Sequence, residues 1–330
     1  MVELVIVAIA AALFFDFYNG MNDSANAIAT VIGSRALRPL QAVILAAIGN
    51  FAGPFALGVA VATTVGKGLI DPKIITIYMI IAGVAGAIVW IALATHAGIP
   101  ISASHTLIGG FVGAGIAVGG IEAIIFEGFN KVITFIVVSP LAGLVIAFGI
   151  TLLLLHILKN KRPYIVNKIF GRLQIGSATF FAIMHGANDG QKTMGIMVAA
   201  LIAGGIIESF YVPYYVIVMA ASAIAVGTFV GGYRVIKTMG LRLTALRPYQ
   251  GFCAETGGGV ILTFMAQFGI PVSTTHAIAG SIMGVGATRR LSAVRWGVGR
   301  TMIYAWIITI PASAAMGAIA YKIMEFASIV

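Results

Sequence analysis

Gly98-Ile99-Pro100-Ile101-Ser102-Ala103-Ser104-His105 and Gly269-Ile270-Pro271-Val272-Ser273-Thr274-Thr275-His276 are one pattern written twice, 171 residues apart. Glycine and proline end a helix, and the hydroxyl residues that follow begin another. Each copy therefore predicts a turn with a new helix N-terminus just beyond it. Gly109, Gly113 and Gly115 recur as Gly280, Gly284 and Gly286 in the same frame. Upstream, Asn19-Gly20-Met21-Asn22-Asp23 is matched 166 residues later by His185-Gly186-Ala187-Asn188-Asp189. Two motifs kept in order at nearly constant offset mark a duplicated unit.

The sequence around these motifs is that of a membrane protein. Of 330 residues, 60% are hydrophobic and 9% charged, against roughly 25% charged in a soluble domain. Lipid, not water, must cover the exterior. Ten apolar runs meet or approach the ~20 residues of a spanning helix: 4–31, 40–66, 74–97, 102–120, 131–158, 173–205, 212–233, 249–268, 271–288 and 300–325. The expected class is an all-α polytopic membrane protein. The fourth and ninth runs are short and glycine-rich, which fits interrupted or re-entrant hairpins. Met1 to Phe15 carries Glu3 where a signal peptide is basic, and it leads straight into the first motif, so it reads as the first membrane segment. Cys253 is the only cysteine, which excludes an intrachain disulfide and a cysteine metal cluster.

The formal charge of +10 does not mark a nucleic-acid binder, because the basic residues gather in short loops between apolar runs. These are Arg35 and Arg38; Lys159, Lys161, Arg162, Lys168 and Arg172; Arg234, Lys237, Arg242 and Arg247; and Arg289, Arg290, Arg295 and Arg300. The positive-inside rule places these loops in the cytoplasm and both termini on the outer face. Ten crossings, five in each half, satisfy that placement. An odd number per half turns the second half upside down. The expected organisation is a first repeat over 1–158, a cytoplasmic basic linker over 159–172 and an inverted repeat over 173–330. Inverted repeats with interrupted segments at matching positions are the pattern of secondary transporters.

The motif residues carry the chemistry. An aspartate at the bilayer centre costs several kcal/mol unless paired or hydrated, which makes Asp23 and Asp189 functional candidates. Carboxylate, amide, hydroxyl and carbonyl oxygens together suit a hard cation. Ser102, Ser104, Thr106, Ser273, Thr274 and Thr275 lie at new helix N-termini, where free N–H groups and the dipole favour an anion; the plainer reading of any one serine is an N-cap. Two such ends facing one cavity would grip a tetrahedral oxyanion. Lys192 stands three residues after Asp189, within ion-pairing reach, and its counterpart in the first half is Asn26. It either neutralises Asp189 or directs positive charge at the substrate. His105 and His276 either donate to the anion or satisfy a neighbouring carbonyl. His185 aligns with Asn19 and reads as a packing group. Glu255, beside Thr256 and Gly257 to Gly259, is a third intramembrane acid.

These motifs resemble those of the inorganic phosphate transporter (PiT) family, which carries duplicated Gly-x-Asn-Asp and Gly-x-Pro-x-Ser-x-x-His segments. Here they stand as Gly20 to Asp23, Gly186 to Asp189, Gly98 to His105 and Gly269 to His276, and the similarity spans nearly the whole chain. The resemblance implies import of inorganic phosphate across the plasma membrane by symport with sodium, or alternatively with protons and as a metal–phosphate complex. It assigns phosphate to Ser102, Ser104, Thr106, Ser273, Thr274 and Thr275 with Asn22 and Asn188, and cations to Asp23, Asn26, Asp189 and Glu255. Sodium is then a co-transported ligand at Asp23, Asp189 and Glu255, with no cofactor. Lys192, His105 and His276 are left for electrostatic or gating roles. The expected partners are phosphate, sodium or protons, and the lipid bilayer, with a homodimer as an open assembly. Asn50 stands where many eukaryotic relatives have glutamate, Gly190-Gln191-Lys192 resembles bacterial members, and no long insertion separates the halves. The chain thus looks bacterial or archaeal.

An enzyme explains less. An intramembrane aspartyl protease would use two membrane aspartates but leave the serine/histidine segments without a role. Ser104 and His105 are neighbours, which point apart on a helix, so a serine protease fails locally. A channel would share the re-entrant ends but would not need paired acid and anion sites.

Overall fold

Gly98 closes the helix before it with φ of 71°, and Gly269 repeats the device at 65°, a left-handed conformation that glycine adopts without penalty. The chain then turns, and Ser102 and Ser273 cap the helices that follow by accepting from the N–H groups of His105 and His276 at 3.1 and 3.3 Å. Each repeated pattern is thus the tip of a helical hairpin.

The computed structural model describes residues 1–231, 235–236 and 243–330. Within them the first half contains α1 (Val2–Gly33), α2 (Pro39–Ala52), α3 (Ala60–Lys67), α4 (Ile77–Ala97), α5 (Ala103–Gly119) and α6 (Phe126–Leu158). The second contains α7 (Pro163–Ala203), α8 (Tyr214–Val230), α9 (Pro248–Gln267), α10 (Thr274–Ala287) and α11 (Trp296–Phe326). Arg234, Lys237 and Arg242, three of the expected orienting charges, lie outside the described residues.

Two expectations need correction. The run 40–66 is two helices, α2 and α3, bent by 78°. Gly53-Pro54 causes the break: proline has no N–H to continue the ladder, and a side chain at Gly53 would strike the backbone of Gly186 and Ala187. The basic stretch 159–172 is connection only as far as Arg162, because Pro163 sits at the first turn of α7, where its fixed φ favours a helix start. The fourth and ninth runs are each the second arm of a helical hairpin, as their glycine content suggests. The N–H of Asp71, before α4, donates to Ala123 O beyond α5, and the N–H of Ile125 donates to Leu69 O, both at 2.9 Å. The α4–α5 hairpin therefore enters and leaves by one face. The N–H of Arg295, beyond α10, donates to Leu243 O, before α9, at 3.0 Å, which closes the second hairpin in the same way. The two closures lie at opposite ends of the molecule: Leu69, Ile70 and Ile124 belong to one apolar core, and Leu243 and Val294 to the other.

The halves are interlaced. Hairpin α4–α5 packs on α11 of the second half, and hairpin α9–α10 packs on α6 of the first, while α1 lies on α8 and α7 on α2. Close approach is built into α5 and α10, where side chains at Gly113 and Gly284 would meet backbone of Ala314 and Leu144. The outward surface is apolar, with Leu141, Val145, Leu153, Ile307 and Ile319 among many exposed hydrophobics, as a lipid-facing surface requires. α1, α4, α6 and α11 are each long and apolar enough to cross a membrane.

Two separate apolar cores result. One includes Val5, Ala8, Ala12 and Phe15 of α1 with Met194 to Leu201 of α7. The other includes Ala25 to Val31 of α1 with Ala178 to Met184 of α7. The Asn-Asp motifs of both helices fall between these cores, and the hairpin tips border them, with Ile101 and Ala103 in the first core and Val272 in the second.

Candidate functional site

The two tips meet. Ser104 Oγ donates to Val272 O at 3.2 Å and Thr275 Oγ1 to Ile101 O at 3.1 Å, so each tip's first-turn hydroxyl holds the backbone of the other. α1 and α7 bring their aspartates to this junction. Thr274 Oγ1 lies 3.2 Å from Asp23 Oδ2 and 3.2 Å from Asp189 Oδ2, so its one hydroxyl hydrogen is shared between two carboxylates. Thr275 Oγ1 lies 3.2 Å from Asp23 Oδ1. Asn26 Nδ2 donates to Thr275 Oγ1 at 3.0 Å. Lys192 Nζ donates to Asp189 Oδ1 at 2.5 Å, to Val272 O at 2.7 Å, and to Ser104 Oγ. All of these side chains are at most 3% exposed. Buried charges persist only when paired and hydrogen-bonded, and this cluster provides both.

The expected site residues thus divide. Asp23, Asn26, Asp189, Lys192, Ser104, Thr274 and Thr275 converge. Ser102 and Ser273 are spent as helix caps, and Thr106 Oγ1 bonds back to Ser102 O at 2.9 Å. Asn22 and Asn188 are struts: Nδ2 of Asn22 donates to Thr95 on α4 at 2.9 Å, and Nδ2 of Asn188 to Leu262 O on α9 at 3.1 Å. Nδ2 of Asn188 also donates to Met184 O at 2.8 Å, which uses both of its N–H groups, whereas Asn22 keeps one N–H. The Oδ1 atoms of both are buried acceptors without a partner among the described residues. His105 and His276 stack edge to face, centroids 4.8 Å apart, with His276 also against Trp306. Nδ1 of His276 lies 3.3 Å from Ile136 O. Glu255 stands apart, accepting from Gln174 at 3.0 Å and from Ser177; Ser177 is about three helical turns before Asp189 on α7.

Two residues gain importance from the structure. His185 is not a packing group: its Nε2 lies 3.3 Å from Asp189 Oδ2 and 3.6 Å from Asp23 Oδ2, between the two acids. Its Nδ1 faces Asn50 Oδ1 at 2.9 Å, and Asn50 Nδ2 donates to Thr228 at 2.7 Å. Four residues separate His185 from Asp189, a spacing that puts both on one helix face and was legible. Asp16 is fully buried and accepts from Asn19 at 3.2 Å. It precedes Asp23 by seven residues, two turns on the same face, which was equally legible.

The geometry joins two opposite capacities. Backbone N–H groups of Ala103, Ser104, Thr274 and Thr275 open two helices and have no carbonyl one turn back. These and the hydroxyls favour an anion, while the two carboxylates favour cations.

The comparisons agree with this picture. The model of the phosphate transporter family matches twice, over residues 19–165 and 158–317, one match for each half. A "Probable low-affinity inorganic phosphate transporter" of Rhizobium meliloti (strain 1021) is 48% identical over 96% of this chain and 96% of its own length. A protein of the same name from Bacillus subtilis (strain 168) is 40% identical over 98% of this chain and 97% of its own. A solved structure titled "The sodium-dependent phosphate transporter" superposes with a TM-score of 0.89 at 25% identity, covering 98% of this chain and 99% of that one. The relatives are named as transporters, not enzymes, and the chain belongs to the phosphate transporter family.

Proposed function

We propose that this membrane protein imports inorganic phosphate by symport with sodium. The observation that carries this reading is the Thr274 hydroxyl shared between Asp23 and Asp189 at a helix N-terminus. A phosphate held by the first-turn N–H groups and by Ser104, Thr274 and Thr275 would stand against two carboxylates. In a low-dielectric interior that repulsion is large, so the anion binds only when cations bind with it. Coupling then follows from charge. Asp23, with Asn26 and the Oδ1 atom of Asn22, offers oxygen ligands, and Glu255 with Gln174 and Ser177 offers a second polar station. The empty and the fully loaded sites are the states neutral enough to pass between faces. The positive-inside placement puts both termini outside the plasma membrane.

The test is uptake of radiolabelled phosphate into proteoliposomes under an imposed sodium gradient and then a proton gradient. Sodium-driven uptake that resists a protonophore is expected; uptake driven by protons alone rejects sodium. Asp23→Asn and Asp189→Asn should each abolish coupled uptake with folding intact, and full transport by either would remove the central role from the aspartates. A second reading, proton-coupled transport of a metal–phosphate complex, is favoured by one feature. Ligand atoms of Asp23, His185 and Asp189 all lie within 4.8 Å of one another, a carboxylate–imidazole set suited to a divalent metal. Uptake that vanishes on chelating divalent metals would select it.

A further inference from the structure

We propose that Lys192 is a tethered cation, its ammonium standing in the second half where a co-transported cation binds in the first. This rests on the reading of the Asp23/Asp189 junction as the transport site, and it goes further by counting the ions.

The duplication makes the comparison atom by atom. Under the repeat offsets Asp23 corresponds to Asp189, Asn26 to Lys192, Ile101 to Val272 and Ser104 to Thr275. Nζ of Lys192 is held by three oxygens of three kinds: the Asp189 carboxylate, the Val272 carbonyl and the Ser104 hydroxyl. The corresponding oxygens around Asp23 are Asp23 Oδ1, Ile101 O and, from the second half, Thr275 Oγ1, and these too are gathered together. Thr275 Oγ1 is 3.2 Å from Asp23 Oδ1 and 3.1 Å from Ile101 O. Oxygens bound about 2.4 Å from a hard cation stand roughly 3 to 4 Å apart, so this spacing suits adjacent ligands. What differs is the occupant. In the second half the cage holds an ammonium on its own stem, whereas in the first the equivalent side chain is a neutral amide, Asn26, whose Nδ2 rests on the Thr275 hydroxyl at 3.0 Å. A buried carboxylate without a fixed cation needs a mobile one. Asp189 carries an ammonium partner permanently; Asp23 has only a share of the His185 imidazole, at 3.6 Å, and takes its cation from solution.

The consequence is stoichiometric. A symmetric carrier, with asparagine at both positions, binds a cation in each cage. This chain binds one fewer, because one positive charge travels with the protein in every state. Lys192→Asn rebuilds the first-half cage in the second. The loaded carrier keeps its charge while the empty carrier loses one, so each cycle moves one more elementary charge per phosphate.

The experiment measures the reversal potential of coupled phosphate flux in proteoliposomes for the wild-type protein and Lys192→Asn. The expected result is one additional charge per phosphate in the variant, with a steeper dependence on cation concentration; an unchanged ratio in a transporting variant overturns the proposal. Should the variant fold but not transport, bound ²²Na⁺ is counted by equilibrium dialysis at saturating phosphate. One more ion per chain than wild type supports the tethered cation, and an equal count overturns it. Asp23→Asn run in parallel separates the two levels: if it retains coupled uptake, the transport-site reading itself falls, whatever Lys192→Asn does.

Discussion

At the scale of single residues, the centre depends on side chains that aim others. His185 lies between the aspartates because Asn50 holds its far nitrogen, and Asn50 is fixed in turn by Thr228. Asn50→Ala leaves a buried imidazole N–H and a buried hydroxyl without that partner, at about 1–3 kcal/mol for an orphaned buried group. The expected outcome is a lower unfolding temperature and weakened phosphate uptake, with Asn50→Gln recovering part of both; unchanged transport and stability in Asn50→Ala would deny the relay. The aspartates, Lys192 and the tip hydroxyls were legible in the sequence because an ionisable group in an apolar run is rarely accidental. His185 was hidden by its alignment with Asn19, which drew attention to the repeat instead of to Asp189 one turn away. That Asn22 and Asn188 also tie α1 to α4 and α7 to α9 was not legible, since their partners, Thr95 and Leu262, are over seventy residues distant.

At the scale of elements, the hairpins work because glycine lets two helices approach until only backbone separates them. Gly284 of α10 faces the Leu144 carbonyl of α6 with no space for a side chain, whereas Gly149 of α6 meets nothing within 4 Å. Gly284→Leu should therefore cost about 1–3 kcal/mol by overpacking and slow uptake by displacing the tip that carries Thr274 and Thr275. Gly149→Leu should leave both unaffected. Thermal unfolding in detergent and initial uptake rates check the pair, and equal behaviour of the two variants would show that α10 is not packed on α6 at this contact. The apolar runs located these helices to within a few residues, apart from the earlier start of α7 and the break at Gly53-Pro54. Whether 102–120 and 271–288 cross or return was not legible. That depends on where the far end of each helix is tied, and those ties, Asp71 to Ala123 and Leu243 to Arg295, are non-local.

At the scale of the molecule, a polar junction between two apolar cores, reached by two hairpins of opposite orientation, is a site with one gate on each side. The hairpin α4–α5 opens toward the face where α6 begins, and α9–α10 toward the face where α11 begins. These faces are opposite, because Leu69 and Ile124 at the first lie in one apolar core and Leu243 and Val294 at the second lie in the other. Ile121 and Leu291 mark them, since they follow α5 and α10 and are 65% and 69% exposed. Single cysteines at these positions, in a Cys253→Ala background, should be labelled from opposite sides of an intact cell by a membrane-impermeant maleimide. The positive-inside rule further specifies that Ile121→Cys reacts from outside and Leu291→Cys only after permeabilisation. The reverse pair of results would keep the inverted repeat and flip its orientation, turning the Glu255 station from the cytoplasmic to the outer gate. Labelling of both positions from one side would break the inversion, and with it the mirror relation between Asp23 and Asp189 on which a two-gated site depends.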